Sequence, residues 1–328
     1  MTEYSVFVPF DPQRGDQILP FAALTQWSTA HRLWQGQGSG GDPYQMFAVA
    51  AAHGFRTPCG TGVALMPSRH PFDAALQART LALTTGHPVT ACFGPGSRAL
   101  QRRMLGAPYA SPLTAAREYL TIVRDLLHRG SADLHGEYFA CDAELAPVPG
   151  PPVELGLGVL RPAMAELAGA VADVAVTWMT PAAYLAETIV PALRAGAAAA
   201  GRPAPRLTAI VPLALERPGR RAADLALAGN GHHLRAPHYT AMLRRAGVAL
   251  PAEPGDPSAA AAALVRGGGF LYGSGAELAD QLAGFERAGV DEIVLNVTGV
   301  ATAYGRRAAL DELRDILVAL TAPRDHRP

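Results

Sequence analysis

The 328-residue sequence contains no lysine, and all 28 of its basic residues are arginine. That absence removes reactions that need an amine nucleophile, Schiff-base aldolases and pyridoxal phosphate enzymes among them, because arginine stays protonated at any working pH. Any phosphate must be held by arginine and backbone N–H groups. An excess of one charge is missing too: 28 acidic residues balance the 28 basic ones, so no field gathers nucleic acid or an anionic membrane surface. A small-molecule or peptide substrate is expected instead. No apolar run approaches the roughly 20 residues of a membrane span, and no basic and apolar leader precedes residues 4–8, so the expected location is cytoplasmic. Cysteine is scarce. Cys59, Cys92 and Cys141 are odd in number, lack CxxC spacing and read as reduced packing thiols.

What the chain does have is a repeating strand and helix plan, displayed most compactly from residue 60 to residue 96. Residues 63–66 are an apolar run too short for a helix and bounded by Gly62 and Pro67, the pattern of a strand buried on both faces. Pro71 opens a helix striped by Phe72, Ala75, Leu76, Arg79 and Leu83, with Gly86 placed for a left-handed C-terminal cap. A second apolar strand follows at 89–93 and ends in Gly94-Pro95-Gly96. Connections this short predict a parallel unit with a right-handed crossover.

Upstream, 4–10 reads as strand one, 18–28 as a helix and 31–35 as strand two, before a glycine loop at 36–41 and an Asp42 N-cap ahead of Pro43. Downstream, helices are expected at 97–105, 113–127, 161–171 and 181–200, and strands at 153–158, 173–178, 207–215 and 293–297. Residues 135–152 read as a non-helical connection. Ser274 and Glu277 form a capping box, and Leu310, Leu313, Ile316, Leu317 and Leu320 stripe a closing helix. Eight alternations without a reversal predict an α/β fold, a single-domain (β/α)8 TIM barrel over residues 1–320, in preference to a doubly wound open sheet. Residues 217–272 are too long for an ordinary connection and read as an insertion between strand seven and the last βα unit. A substrate lid is expected there, with glycines 267–269 permitting movement. Residues 321–328 read as a flexible tail.

In such a barrel the site lies at the C-terminal strand ends. Those ends offer Asp11, residues 35–37, 66–68, 94–97, 158–161 and 178–180, Glu216 and Asn296. Clustered ligands for a metal hydrolase are missing, as are the facing carboxylates of a glycosidase. A neutral, glycine-rich and aromatic rim suits a flat cofactor that brings its own reactivity. Gly158, Val159 and Leu160 precede a helix whose free N–H groups favour an anion, and Arg161 is either the counter-charge or a surface residue beside Pro162. Gln35 and Gln37 can hydrogen-bond a ring carbonyl or a substrate amide but cannot act as acid or base. Trp178 either lines a bound ring or packs, and His70 fixes the turn into its helix. His232, His233, His238 and Tyr239 follow Asn230-Gly231 in the insertion. The adjacent histidines lack i, i+4 pairing and no acid stands near, so no metal is expected. Gln37, His232, His233 and Tyr239 are assigned to substrate.

Gly60-Thr61-Gly62-Val63 followed by Arg69-His70-Pro71, the Gly94-Pro95-Gly96 strand end, His135-Gly136-Glu137-Tyr138-Phe139, residues 158–162 with their helix, and Tyr272-Gly273-Ser274 with Glu277 recur in order over nearly the whole chain. The set resembles the bacterial luciferase-like superfamily, and within it the branch that uses the deazaflavin coenzyme F420 and includes methylenetetrahydromethanopterin reductase. The resemblance implies a non-prolyl cis bond between Gly62 and Val63, with Val63 backing one face of the deazaflavin ring. It also implies a cofactor phosphate between strands four and five, where Gly96, Ser97 and Arg98 meet Gly158, Val159, Leu160 and Arg161. Gly94 and Gly96 are alternatively plain turn glycines. Gln35, Gly62, Val63, Gly94 and Trp178 complete the implied cofactor site. Many members end strand two in Asp-His, where this chain has Gln35-Gly36-Gln37.

The implied activity is hydride transfer from reduced F420 to an activated C=C or C=N bond, such as a dehydroalanine or dehydrobutyrine in a natural-product peptide. The alternatives are an FMN-dependent monooxygenase and a flavin-binding protein without turnover. Homodimerisation through helices flanking strands two and three is implied in the same way.

Overall fold

The short apolar runs and the striped helices between them assemble into one closed barrel in a computed structural model that describes residues 2–251 and 256–321. The strands among these residues are β1 (Glu3–Phe7), β2 (Leu33–Gln35), β3 (Cys59–Thr61), β4 (Ala64–Leu65), β5 (Val89–Gly94), β6 (Ser131–His135), β7 (Ala140–Glu144), β8 (Val153–Gly158), β9 (Val174–Trp178), β10 (Arg206–Leu215), β11 (Leu271–Gly273) and β12 (Glu292–Asn296). Eight of them, β1, β2, β3, β5, β8, β9, β10 and β12, pair in parallel in that order, and β12 closes the ring on β1. The TIM barrel expected from the sequence is the fold observed.

The helices are α1 (Leu19–Gln26), α2 (Pro43–Ala52), α3 (Pro71–Thr85), α4 (Arg98–Leu105), α5 (Pro112–His128), α6 (Pro162–Val171), α7 (Ala182–Tyr184), α8 (Val190–Ala199), α9 (Ala222–Leu234), α10 (Pro237–Arg245), α11 (Pro257–Arg266), α12 (Gly275–Arg287) and α13 (Thr298–Thr321). Their ends follow local chemistry. Asp42 accepts from the Tyr44 and Gln45 amides at the start of α2, Gly86 takes φ 72° at the end of α3, and Ser274 with Glu277 closes a capping box on α12. His70 caps α3 by accepting from the Phe72 amide at 3.2 Å through Nδ1, while its Nε2 lies 3.0 Å from the Ala140 carbonyl. That pairing fixes the tautomer with the proton on Nε2 and makes His70 the turn-fixing residue expected.

One sequence expectation is corrected. Strand three, expected at 63–66, is instead Cys59–Thr61 in the barrel, and a cis Gly62-Val63 peptide separates it from Ala64–Leu65, which pairs with β5. The apolar run marked burial rather than pairing. Cys59-Gly60-Thr61 escaped notice because Gly60 makes room for a neighbour: a Cβ there would stand 2.5 Å from the Trp34 ring. The connection at 135–152 is non-helical as expected, and its first part completes an antiparallel hairpin, β6 with β7, that begins at Ser131 and lies outside the barrel. Its tip is held by Glu118, whose carboxylate accepts from the amides of Glu137, Tyr138 and Phe139 at 2.8, 2.8 and 3.1 Å.

Residues 217–272 hold three helices, α9 to α11, before β11 extends β10, with Leu213 opposite Leu271 and Leu215 opposite Gly273. Asn230-Gly231-His232-His233 lies within α9. Part of the proline-rich stretch 251–257, and the tail 322–328, lie outside the described residues.

The lumen is filled by Phe7, Trp34, Cys92, Val174, Val176, Ile210 and Val294. Its floor, at the N-terminal strand ends, is ionic. Fully buried Glu292 accepts from Ser5 Oγ and Trp34 Nε1, each at 2.6 Å, and lies 3.6 Å from Arg32 and 3.8 Å from Arg206. Arg206 also meets Glu154 at 2.7 Å. The three cysteines are free and buried, and burial pushes the Cys59 thiol up to about 12.

Candidate cofactor and substrate site

Parallel register brings the C-terminal strand ends into a ring. Phe7 lies opposite Trp34, Gln35 opposite Thr61, Phe93 opposite Leu157, Gly158 opposite Val176, Trp178 opposite Ile210 and Asn296 opposite Pro212. Gly62, Val63, Gly94, Gly158, Trp178 and Asn296 therefore face one mouth, whereas Gln35, expected at the cofactor, follows lumen-facing Trp34 on β2 and turns its side chain to the helix layer. Gln35 is 1% exposed, and neither of its amide atoms has a hydrogen-bond partner within the protein. Gln37, by contrast, is engaged. Its Oε1 accepts from the Leu65 amide at 2.8 Å and its Nε2 donates to Ser68 Oγ at 3.2 Å, so it braces the chain just after the cis peptide.

Val63 has a fitted seat. A Cβ on Gly94 would stand 2.9 Å from Val63 Cγ2, and one on Gly158 3.2 Å from Val63 Cγ1, so the two glycines flank the valine side chain. Gly96 takes φ 69°, which aims the chain into Ser97. Ser97 caps α4, its Oγ accepting from the Leu100 amide at 3.2 Å, and Arg98 is exposed. On the neighbouring strand end, Val159 and Leu160 lead to Arg161, which begins α6 without a side-chain cap; Pro162 has no N–H and the Met164 N–H donates to the Arg161 carbonyl at 3.1 Å, so of the first turn only the Ala163 N–H remains for an anion. The strand ends of β5 and β8 lie side by side.

Opposite Val63 runs a chain of rings. Phe7 and Trp178 meet edge to face at 5.5 Å, as do His233 and Tyr239 at 4.9 Å, and between them Trp178 and His233 lie tilted at 5.2 Å. His232 and His238 flank it, at 5.7 Å from His233 and 4.4 Å from Tyr239. The structure therefore joins Trp178 with all three insertion residues expected to meet substrate. Burial first, then the neighbouring His232 and His238, lowers the pKa of His233 to about 4, so it is a neutral imidazole. His238 is lowered by burial and by Arg161, and burial pushes Tyr239 up to about 12. Phe7 escaped the sequence reading although its place at the end of β1 aims it inward. Met179, held at φ 56° directly after Trp178, had no sequence signal.

The acids named at this rim do other work or point away. Asp11 accepts from the Ser39 and Gly40 amides at 2.8 and 2.7 Å, folding the glycine loop around its carboxylate, and Glu216 is exposed. An open groove of about 390 Å³ between Phe10, Asp11 and Arg306 lies on the flank of the mouth, away from Val63 and Trp178. Among the described residues no group of three or more His, Cys, Asp or Glu is placed to hold a metal ion, and no helix is long and apolar enough to cross a membrane.

The family model for luciferase-like monooxygenases matches residues 2–292. The chain belongs to that family. It is 27% identical over 198 residues to 5,10-methylenetetrahydromethanopterin reductase of Methanolobus tindarius, over 60% of this chain and 59% of that protein, so the chain spans less than two thirds of that relative's length. Its fold is similar to the coenzyme F420 dependent tetrahydromethanopterin reductase of Methanopyrus kandleri, with a TM-score of 0.76 at 18% identity over 97% of both chains. It is also similar to EDTA monooxygenase from Chelativorans sp. BNC1, with a TM-score of 0.74 at 14% identity over 97% of this chain and 93% of that one. At these identities the structural likenesses speak to fold. The family comprises oxidoreductases and monooxygenases, and a flavin or deazaflavin cofactor suits its members.

Proposed function

We propose that this family member is a reductase dependent on coenzyme F420, acting on an activated C=C or C=N bond. The observation that carries the reading is the seat of Val63, wedged between Gly94 and Gly158 after a cis peptide and facing a ring of strand ends without a free acid. A flat ring fits against such a surface, and a Cβ at either glycine would push Val63 into its place. Gly96, Ser97 and Arg98 on one side and Gly158 to Arg161 on the other would hold the phosphate, through the Ala163 N–H of α6 and arginine charge. Bound there, F420 supplies a hydride equivalent. The protein's own part is to orient and to exclude water: Trp178 and His233 wall the space above the ring, and α9 and α10 cover it as a lid. The supporting relatives are the reductases already described.

For substrate we infer an unsaturated residue of a peptide, a dehydroalanine or dehydrobutyrine, in natural-product assembly in the cytoplasm. We further infer a homodimer through α2 and α3, supported by Leu76 and Leu83, which are 38% and 39% exposed seven residues apart on α3. Two experiments test the enzyme reading. Titration against F420 and FMN, followed by each cofactor's fluorescence, should give micromolar binding of F420 alone, and reduced F420 should then be consumed with a dehydroalanine peptide. Binding of FMN alone with oxygen uptake would move the protein to the monooxygenase branch, and tight cofactor binding without any turnover would make it a binding protein.

A further inference from the structure

Arg69 opens the Arg69-His70-Pro71 turn that leads from the Val63 segment into α3, and its side chain is only 9% exposed. Its guanidinium meets four acceptors. Nη2 pairs with Asp42 Oδ2 at 2.5 Å and donates to Gln37 Oε1 at 3.4 Å, Nη1 donates to Gln77 Oε1, and Nε donates to Ser68 Oγ at 3.5 Å. Cζ stands 5.3 Å from the centre of the Tyr44 ring. A planar fork of N–H donors ties several acceptors at fixed angles. Those tied here come from separate parts of the chain: Asp42 caps α2, Gln37 follows β2, Ser68 follows β4 and Gln77 lies in α3.

Two of these neighbours grip the segment that carries Val63. The Gln37 N–H donates to the Val63 carbonyl at 3.2 Å, and Gln37 Oε1 accepts from the Leu65 amide at 2.8 Å. Gln37 Nε2 donates to Ser68 Oγ at 3.2 Å, and Ser68 Oγ donates in turn to the Leu65 carbonyl at 2.6 Å. Just before Val63, the Gly62 N–H donates to the Gln35 carbonyl at 2.9 Å. Residues 62–65 are therefore held on both sides of Val63. The side chains that hold them from beyond Val63, Gln37 and Ser68, both rest on Arg69.

Asp42 fixes the other end of the brace. Its Oδ1 accepts from the Tyr44 and Gln45 amides at 3.0 and 3.3 Å, while its Oδ2 takes the Arg69 guanidinium, so Arg69 is anchored to the start of α2. A group that faces a bound molecule is held in place by the side chains behind it, and small shifts there are felt in affinity. An ion pair with Asp42 alone could be made by a lysine. Serving Asp42, Gln37, Gln77 and Ser68 together takes the fork of an arginine.

We propose that Arg69 is a positioning residue for the cofactor site: it holds Gln37 and Ser68 against residues 63–65 and so sets where Val63 stands between Gly94 and Gly158. The inference deepens the proposed function, because it rests on Val63 being the surface against which the cofactor ring lies. Arg69→Gln, Arg69→Lys and Gln37→Leu are titrated against F420 and against FMN by cofactor fluorescence, beside the unsubstituted protein, with folding checked by thermal melting. Whichever cofactor the unsubstituted protein binds is the probe, so binding of FMN alone removes the F420 reading and leaves the brace to be read with FMN. Arg69→Gln and Gln37→Leu should each lose about fivefold or more in affinity, and Arg69→Lys should regain part of that loss. The discriminating measurement repeats Arg69→Gln in a Val63→Ala background, where the loss should shrink to about twofold or less, because no valine methyls are left to misplace. Gln37→Leu carries the same comparison should Arg69→Gln not fold. An unchanged affinity in the folded variants, an equal loss with and without the Val63 side chain, or binding of neither cofactor by the unsubstituted protein overturns the inference.

Discussion

Placing a methyl group beside Val63 tests the cofactor seat directly. In Gly94→Ala the new Cβ would lie 2.9 Å from Val63 Cγ2, whereas carbon atoms settle at about 3.5–4.0 Å, so the side chain must give way by roughly 0.6–1.1 Å. Neither glycine has a positive φ, so the cost is contact rather than backbone strain. Valine is stiff at χ1 and its other methyl already faces Gly158, so it relieves the overlap by moving into the mouth. Overpacking of this kind costs about 1–3 kcal/mol. The same movement intrudes on a ring lying against Val63, so the F420 affinity should fall by about tenfold or more, a loss of about 1.4 kcal/mol or greater. Gly158→Ala, at 3.2 Å from Val63 Cγ1, should be milder in both respects. The decisive measurement is a double-mutant cycle. Val63→Ala removes both methyls, so Val63→Ala with Gly94→Ala should lose less stability than the two single changes summed, by about 1 kcal/mol or more. Urea unfolding and fluorescence titration of the four proteins read both quantities. Additivity within about 0.5 kcal/mol, together with an unchanged F420 affinity in Gly94→Ala, would refute the seat.

Other consequences follow from the same structure. Removing the Glu118 carboxylate strands three hairpin amides, so Glu118→Ala should cost about 2 kcal/mol in urea unfolding, and a loss below about 0.5 kcal/mol would mean the hairpin tip holds itself. Glu292→Ala leaves Ser5 Oγ and Trp34 Nε1 without their buried acceptor and Arg32 without an ion-pair partner, and should destabilise by about 3–5 kcal/mol; an unchanged melting temperature would contradict the ionic floor. His233 is neutral in the fold with its pKa lowered to about 4, against about 6.5 unfolded, so the unfolded chain takes up more protons in that window and stability should decline by a few kcal/mol as pH falls from about 6.5 to about 4. His233→Phe should remove part of that decline, and identical pH profiles for the two proteins would show that His233 titrates freely.

The fold was legible because β/α alternation, caps and helix stripes are local. Asp42, His70, Gly86 and the Ser274 with Glu277 box each ended up where the sequence placed them. Strand three was not, because the signal there is a void. Cys59-Gly60-Thr61 pairs on both sides only because Gly60 vacates space for Trp34, a neighbour from β2 that no local pattern reveals. Hydrophobicity along the chain also could not show that Asn230-Gly231 lies inside α9, where the helix face carrying Ala226, Asn230 and His233 is set by packing on the barrel. The strand ends named the mouth, yet what their polar groups meet depends on register and on hydrogen bonds closed elsewhere. Gln35 and Gln37, two residues apart and chemically identical, differ in just this way: Gln37 is tied to Leu65 and Ser68, and Gln35, turned to the helix layer, to nothing within the protein.

That contrast extends to the two ends of the barrel. At the floor, Arg32, Arg206, Glu154 and Glu292 pair their charges across β2, β8, β10 and β12, with Ser5, Trp34 and Thr90 taking further hydrogen bonds. At the mouth the barrel strands end in uncharged groups, of which Trp178 Nε1 and Asn296 Nδ2 are unpaired. Charge buried at the mouth would either need a partner, closing the space, or stay unpaired at a cost of several kcal/mol. A neutral mouth avoids both outcomes and keeps those donors available. The ionic floor ties the strands together below, so the mouth can carry unpaired polar groups without the barrel depending on them, which is the arrangement expected when positioning rather than proton transfer is the protein's contribution.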